Sequence, residues 1–255
     1  MCIGIVITVC GKISLNRLRQ AYKANPDGCG ILWSNKNQLH SLKGVWTWDF
    51  FLSQYQLVKD KYRSSSIIVH FRTASARGIG DIYCHPHYVN KNLAFIHNGN
   101  FFELSSSFYN DNKTDSQRMN EYILQKMHKN FLETEALSVL DDYCVDNHSK
   151  MIFMNNGGSI WIMNSSAGEW IDGVFYSNKG LDNYSGYGYS GAYYYRESDI
   201  RFKGGLSTIQ MFSKEKRNNW FQCSRCKAWY NKKDSNHGLC RGCYLFSKLR
   251  HFIYE

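Results

Sequence analysis

Met1-Cys2-Ile3-Gly4-Ile5 opens the chain, and the rest of the reading turns on Cys2. A cysteine directly behind the initiator methionine becomes the first residue once that methionine is removed, which puts a thiol and a free α-amine on one backbone position. An unperturbed thiol has a pKa of about 8.5 and an α-amine about 7.7–8, so near neutral pH the amine can take the sulfur's proton without a separate histidine. The plainer reading is that Cys2 begins a buried strand, because residues 3–9 are apolar and largely β-branched. Residues elsewhere decide between the two.

A chain of 255 residues is long enough for one large domain, or for one domain and a small module. Hydrophobic residues at 43% and only two prolines point to a folded chain. Residues 3–9 are too few to span a bilayer and no basic residue precedes them, so neither a membrane helix nor a secretory signal is expected, and the expected location is cytoplasmic. Four of the nine cysteines form two Cys-x-x-Cys pairs near the C-terminus, which in an intracellular chain reads as metal binding rather than a disulfide framework. The net charge of +10 is concentrated: residues 201–255 hold twelve Lys or Arg against three Asp or Glu. The remainder is close to neutral and suits an enzyme for a small zwitterion. The basic end can meet nucleic acid or an acidic partner, or can serve only solubility.

Residues 3–10 read as a strand, and Ile13, Leu15, Leu18, Ala21 and Tyr22 follow a helical period. Asn25-Pro26-Asp27-Gly28-Cys29-Gly30 breaks that helix with a tight turn. Residues 31–33 and 39–45 look like a strand pair, 49–62 a helix and 66–70 a returning strand. Thr114 followed three residues later by Gln117 has capping-box form and starts another helix. Residues 151–153, 159–163 and 174–176 are short strands between glycine-bearing turns. Strands flanking a few helices give an α+β layered domain. Residues 181–195 are rich in Tyr, Gly and Ser, cannot build a core, and read as a mobile linker, with a tyrosine-rich flap as the alternative.

Four further segments carry chemistry. In His70-Phe71-Arg72-Thr73-Ala74-Ser75, an arginine at a strand end can present its planar fork to a carboxylate. Cys84-His85-Pro86-His87 is the second. In Phe95-Ile96-His97-Asn98-Gly99-Asn100, a side-chain amide and a main-chain N–H follow an apolar strand, the ingredients of an oxyanion hole. Asp115 stands in the first turn of a helix, where exposed amides help keep it ionised. Each has a plainer alternative: His-Asn-Gly as a hairpin turn, His-Pro-His as a loop, Asp115 as a helix-start acid.

In this order and spacing the segments resemble the class II glutamine amidotransferases, members of the N-terminal nucleophile (Ntn) hydrolases, including the glutaminase half of glucosamine-6-phosphate synthase. The Asn25 to Gly30 turn is similar to that of small stand-alone amidotransferase-like proteins with Asn-Pro-Asp-Gly-x-Gly. The resemblance covers residues 2–180 and implies a four-layer αββα Ntn-hydrolase sandwich with Cys2 at the mouth between two sheets. It further implies that Arg72 binds the α-carboxylate of glutamine, Asp115 its α-ammonium, and Asn98 with Gly99 the oxyanion, while Ser75 and His85 shape the pocket. Cys2 then forms a γ-glutamyl thioester that water opens to glutamate after ammonia leaves. Two departures stand out. Ala24 and Asn25 occupy the place where many relatives carry an arginine before the turn, and the segment 72–78 runs one residue longer before its glycine.

Cys223-x-x-Cys226 and Cys240-x-x-Cys243 give the tetrahedral sulfur set that zinc prefers, with a minor iron alternative, and four filled positions make the site structural. Zinc is expected to fold this basic zinc-ribbon region, 201–255, which 181–200 joins to the amidotransferase-like domain. Arg225, Trp229, Tyr230, Lys232 and Lys233 can face nucleic acid or a docking protein. After the glutaminase-like region too few residues follow for an ammonia-consuming domain, so an acceptor enzyme on a separate chain is expected. A γ-glutamyl amide hydrolase without transfer, or a nucleic-acid or protein-binding adaptor on the same scaffold, are the competing readings.

Overall fold

In the computed structural model, residues 2–74, 78–105, 108–128, 130–179, 220–225, 229–231 and 235–253 are described. Strand β1 (Ile3–Ile7) is buried at every position, so both of its faces need cover. It pairs antiparallel with β4 (Ile67–Phe71) and with β10 (Val174–Tyr176) at the centre of a six-stranded sheet. β2 (Cys29–Asn35), β3 (Gln38–Gly44) and β9 (Glu169–Ile171) complete the order β3-β2-β4-β1-β10-β9. Side chains alternate between faces along a strand. Ile3, Ile5, Ile7, Ile31 and Val69 pack on one side against helices α1 (Leu15–Ala24) and α2 (Trp48–Lys61), through Leu18, Ala21, Phe51, Tyr55 and Val58. Val6, Leu32 and Ile68 point the other way and meet Ala94, Ile96, Ile152 and Met154 of a second sheet.

That second sheet runs β5 (His87–Asn90), β6 (Leu93–Asn98), β7 (Lys150–Asn155), β8 (Ile160–Ile162), again antiparallel. Its outer face, with Phe95, Met151 and Phe153, is covered by α3 (Asp115–Tyr122), α4 (Glu135–Asp146) and α5 (Arg241–His251). The α+β expectation holds, and the packing gives the order helices, sheet, sheet, helices. Short hairpins β11 (Trp220–Gln222) with β12 (Trp229–Asn231), and β13 (Ser235–Asn236) with β14 (Leu239–Cys240), precede α5.

Side chains cap the starts of four helices, of which the sequence reading expected only the cap at Thr114. Ser14, Thr47 and Thr134 each accept a first-turn N–H, and Thr114 with Gln117 forms the full capping box. The turn at 25–30 ends earlier than expected, because Cys29 and Gly30 already pair with Phe71 and His70 as the start of β2. Residues 181–195, read as a linker, lie outside the described residues. The change of composition at residue 201 is not a break in packing at α5, whose Leu245, Phe246 and Leu249 join the same core as α4. Among the described residues no helix is long and apolar enough to cross a membrane.

Candidate active site and cysteine cluster

Cys2 stands at the head of β1, beside the chain leaving β4. Thr73 N–H donates to Cys2 Sγ at 3.4 Å, and Sγ lies 3.6 Å from the Thr73 carbonyl. Burial pushes the half-buried thiol above its ordinary pKa. The Thr73 N–H and the Arg72 guanidinium oppose that rise, while the Asp115 carboxylate adds to it. A thiol held protonated in this way needs a base before it can attack.

The turn after α1 fixes the segment that touches Cys2. Asp27 Oδ2 accepts from Ala74 N–H at 2.7 Å, and Asn25 Oδ1 accepts from the Thr73 hydroxyl at 2.7 Å while its Nδ2 donates to the Ala21 carbonyl. Asn25 thus pins the turn itself. Arg72 is buried; its backbone bonds both Gly28 and Asp27, and its guanidinium lies over the Tyr83 ring at 5.5 Å. Its Nη1 is buried without a protein partner. Such an atom is costly unless a ligand or water meets it.

On the opposite side, β6 ends at Asn98 and the chain turns through Gly99 at φ +130°. A Cβ there would lie 2.7 Å from Ser149 Cα, so only glycine fits. Asp115 heads α3, with Oδ2 accepting from Phe101 N–H at 2.7 Å and Oδ1 from Ser116 N–H at 2.8 Å. The carboxylate thereby ties the 98–104 strap to the helix start. Two residues that the sequence reading missed complete this side. Ser177 Oγ accepts from Gly4 N–H at 2.8 Å and from Asn98 Nδ2 at 2.7 Å. Asn178 Oδ1 accepts from Asn98 Nδ2 at 2.6 Å, and Asn178 Nδ2 donates to the Cys2 carbonyl at 3.0 Å. Both Asn98 amide hydrogens are therefore held by the two residues that follow β10, and Asn98 Oδ1 is buried without a partner.

The sulfurs of Cys223, Cys240 and Cys243 lie within 4.8 Å of one another and are buried. Cys240 also caps α5 by accepting from Cys243 N–H at 3.5 Å. Among the described residues, these three buried thiols are a group that could hold a metal ion. Cys226, expected as the fourth ligand, lies outside the described residues. Cys243 Sγ donates to Glu103 Oε1 at 3.9 Å, and Glu103 Oε2 accepts from the Tyr143 hydroxyl at 2.8 Å.

No family model matches this chain, and no curated protein matches it. Among solved structures it is similar to a glutamine aminotransferase class-II domain protein from Silicibacter pomeroyi. The two share 15% identity over 61% of this chain and 73% of that one, with a TM-score of 0.32. At that level the likeness carries no argument.

The residues singled out from sequence divide into three groups. Cys2, Arg72 and Asp115 are close enough for both charges to act on the thiol, and Asn98 is linked to Cys2 through Asn178. His85 is buried, its ring 4.4 Å from that of His70 and 4.6 Å from that of His87, with both nitrogens unpartnered. Burial, and then the neighbouring histidines, push its pKa far below the ordinary range. Ser75 lies outside the described residues, as do the side chains of Trp229, Tyr230, Lys232 and Lys233. Arg225 is stacked over Phe246 at 4.1 Å, and Arg241 lies 3.8 Å from Asp142 and 3.9 Å from Asp146, so part of the basic excess faces this protein's own groups.

Proposed function

We propose that the chain hydrolyses glutamine to glutamate and ammonia through Cys2, as a glutaminase of the class II, Ntn type. The observation that carries the reading is the Cys2 thiol held against Thr73 at the end of β4, next to the buried Arg72, with the Asp115 charge also reaching its sulfur. That arrangement suits a zwitterion whose side-chain amide is to be presented to the thiol: Arg72 holds the α-carboxylate and Asp115 the α-ammonium. The orphaned Nη1 of Arg72 is a donor waiting for such an oxygen.

The chemistry then follows from the groups present. The α-amine of Cys2, freed by removal of Met1, takes the thiol proton, and sulfur attacks the amide carbon. Negative charge gathers on the amide oxygen, which Asn98 and Gly99 stabilise, one Asn98 amide hydrogen leaving its partner beyond β10 to do so. Collapse breaks the C–N bond, and the ammonium of Cys2 protonates the leaving nitrogen. Water, deprotonated by the same amine, attacks the thioester; the C–S bond breaks, the sulfur regains its proton, and glutamate departs. In this proposal the ammonia passes to an acceptor enzyme. The basic C-terminal region docks that enzyme or its nucleic acid, and a structural zinc ion bound by Cys223, Cys240 and Cys243, with Cys226 as fourth ligand, shapes the region without open positions for chemistry. Glutamate release from free glutamine, measured for wild type and for Cys2→Ala, tests the reading; it fails if the variant retains activity.

A further inference from the structure

His97 stands in the segment that carries Asn98 and Gly99, yet no step at Cys2 uses it. Successive side chains of a strand face opposite ways, so while Asn98 turns to Ser177, His97 shares the face of Phe95, which the helices cover. His97 is 2% exposed; its Nδ1 lies 2.8 Å from Ser116 Oγ, and its ring stacks on Phe101 with centroids 4.1 Å and planes 6° apart. Those two neighbours are the residues that hold Asp115. Phe101 N–H donates to its Oδ2 and Ser116 N–H to its Oδ1, with the Ser116 hydroxyl 3.5 Å from the same Oδ1. One imidazole thus touches the donors to both oxygens of one carboxylate. Burial lowers the pKa of His97 even against the Asp115 charge, so the ring is neutral and acts by contact rather than by charge. With its proton on Nδ1 it donates to Ser116 Oγ, which leaves the hydroxyl hydrogen for Asp115.

We infer that His97 is a positioning residue that fixes the Asp115 carboxylate through Ser116 and Phe101, and so sets the preference for substrates with an α-ammonium group. It touches no reacting atom. Its effect on substrate choice rests on the glutaminase reading; its hold on Asp115 stands apart. A carboxylate whose own donors can shift binds an ammonium less well, because a charge-assisted bond depends on direction as well as distance. Loss of the brace therefore costs glutamine its advantage over glutaramate, the same amide without the α-amine. A general loosening of the fold would slow both alike.

Two variants of similar size separate the brace from bulk: His97→Asn keeps a polar N–H near the place of Nδ1, and His97→Leu removes it. The ratio of kcat/KM for glutamine to that for glutaramate should fall by about tenfold or more in His97→Leu and stay within about threefold of wild type in His97→Asn. Ser116→Ala, which deletes only the hydroxyl, should lower the ratio in the same direction, and it replaces His97→Leu if that variant does not fold. Asp115→Asn should lower it as well, and adding His97→Leu to Asp115→Asn should lower it no further, as expected of residues that act through one group. Hydrogen exchange at the Phe101 and Ser116 amides, read without substrate, should rise by about tenfold or more in His97→Leu while β1 and β4 stay protected. An unchanged ratio in His97→Leu and Ser116→Ala, equal losses for both substrates, additive losses in the double variant, or unchanged exchange at the two amides each overturns the inference. Raised exchange at those amides, in a chain whose wild type releases no glutamate, sustains the hold on Asp115 and rejects the glutaminase reading instead.

Discussion

At the scale of single residues, the thiol of Cys2 is held protonated by burial, so the rate should be governed by the amine that removes its proton. Hydrolysis should rise with pH as that amine becomes neutral, with an apparent pKa of about 7.7–8, and a pH profile of kcat checks it. Arg72→Ala should weaken glutamine binding by about 2–4 kcal/mol, read as a higher KM, because a charge-assisted pair in a desolvated site is lost. An unchanged KM favours a γ-glutamyl substrate not bound as a free amino acid. Asn178→Ala should act differently, lowering kcat by about tenfold or more with KM little altered, because Asn178 touches Asn98 and the Cys2 carbonyl. Cys2, Arg72 and Asp115 are legible from sequence because a thiol, a strand-end arginine and a helix-start acid each imply chemistry. Ser177 and Asn178 are not: a Ser-Asn pair after a strand reads as an ordinary turn, and only the pairing of β1 with β10 brings it to Cys2.

At the scale of elements, the strap from β6 to α3 is the part that geometry constrains most. Gly99→Ala forces a left-handed residue and a clash with Ser149 together, so it should cost about 1–3 kcal/mol and displace the strap. Thermal melts alongside glutamate release would show stability and activity falling together. Elements with a full local signal are legible: the capping box announces α3, and residues 174–176 are β10 as read. Helix α4 carries Ala136, Leu140, Tyr143 and Cys144 at helical spacing behind a Thr134 cap, a signal present but unread. Strand β9, three residues long, has no pattern to read. The burial of His85 was also invisible, because alternation gives the face of a strand but not which polar residues pair across two sheets.

At the scale of the whole molecule, four buried histidines, His70, His85, His87 and His97, sit together, and burial is the leading cause lowering each one's pKa, to about 3 for His70 and His87. Their unfolded value is about 6.5, so below that pH the unfolded chain binds protons the native state refuses. Stability should be intact above about pH 6.5 and fall as pH drops towards 3, by up to about 1.4 kcal/mol per pH unit for each histidine. Acid unfolding followed by circular dichroism should therefore set in below about pH 6.5 and be accompanied by proton uptake. A protein native at pH 3.5 would contradict this. The central claim is that Cys2, freed at the N-terminus, is the nucleophile, and intact mass measured on the same sample as glutamate release tests it most directly. The account predicts active protein lacking Met1 and Cys2→Ala protein without activity; activity in protein that fully retains Met1 would contradict it.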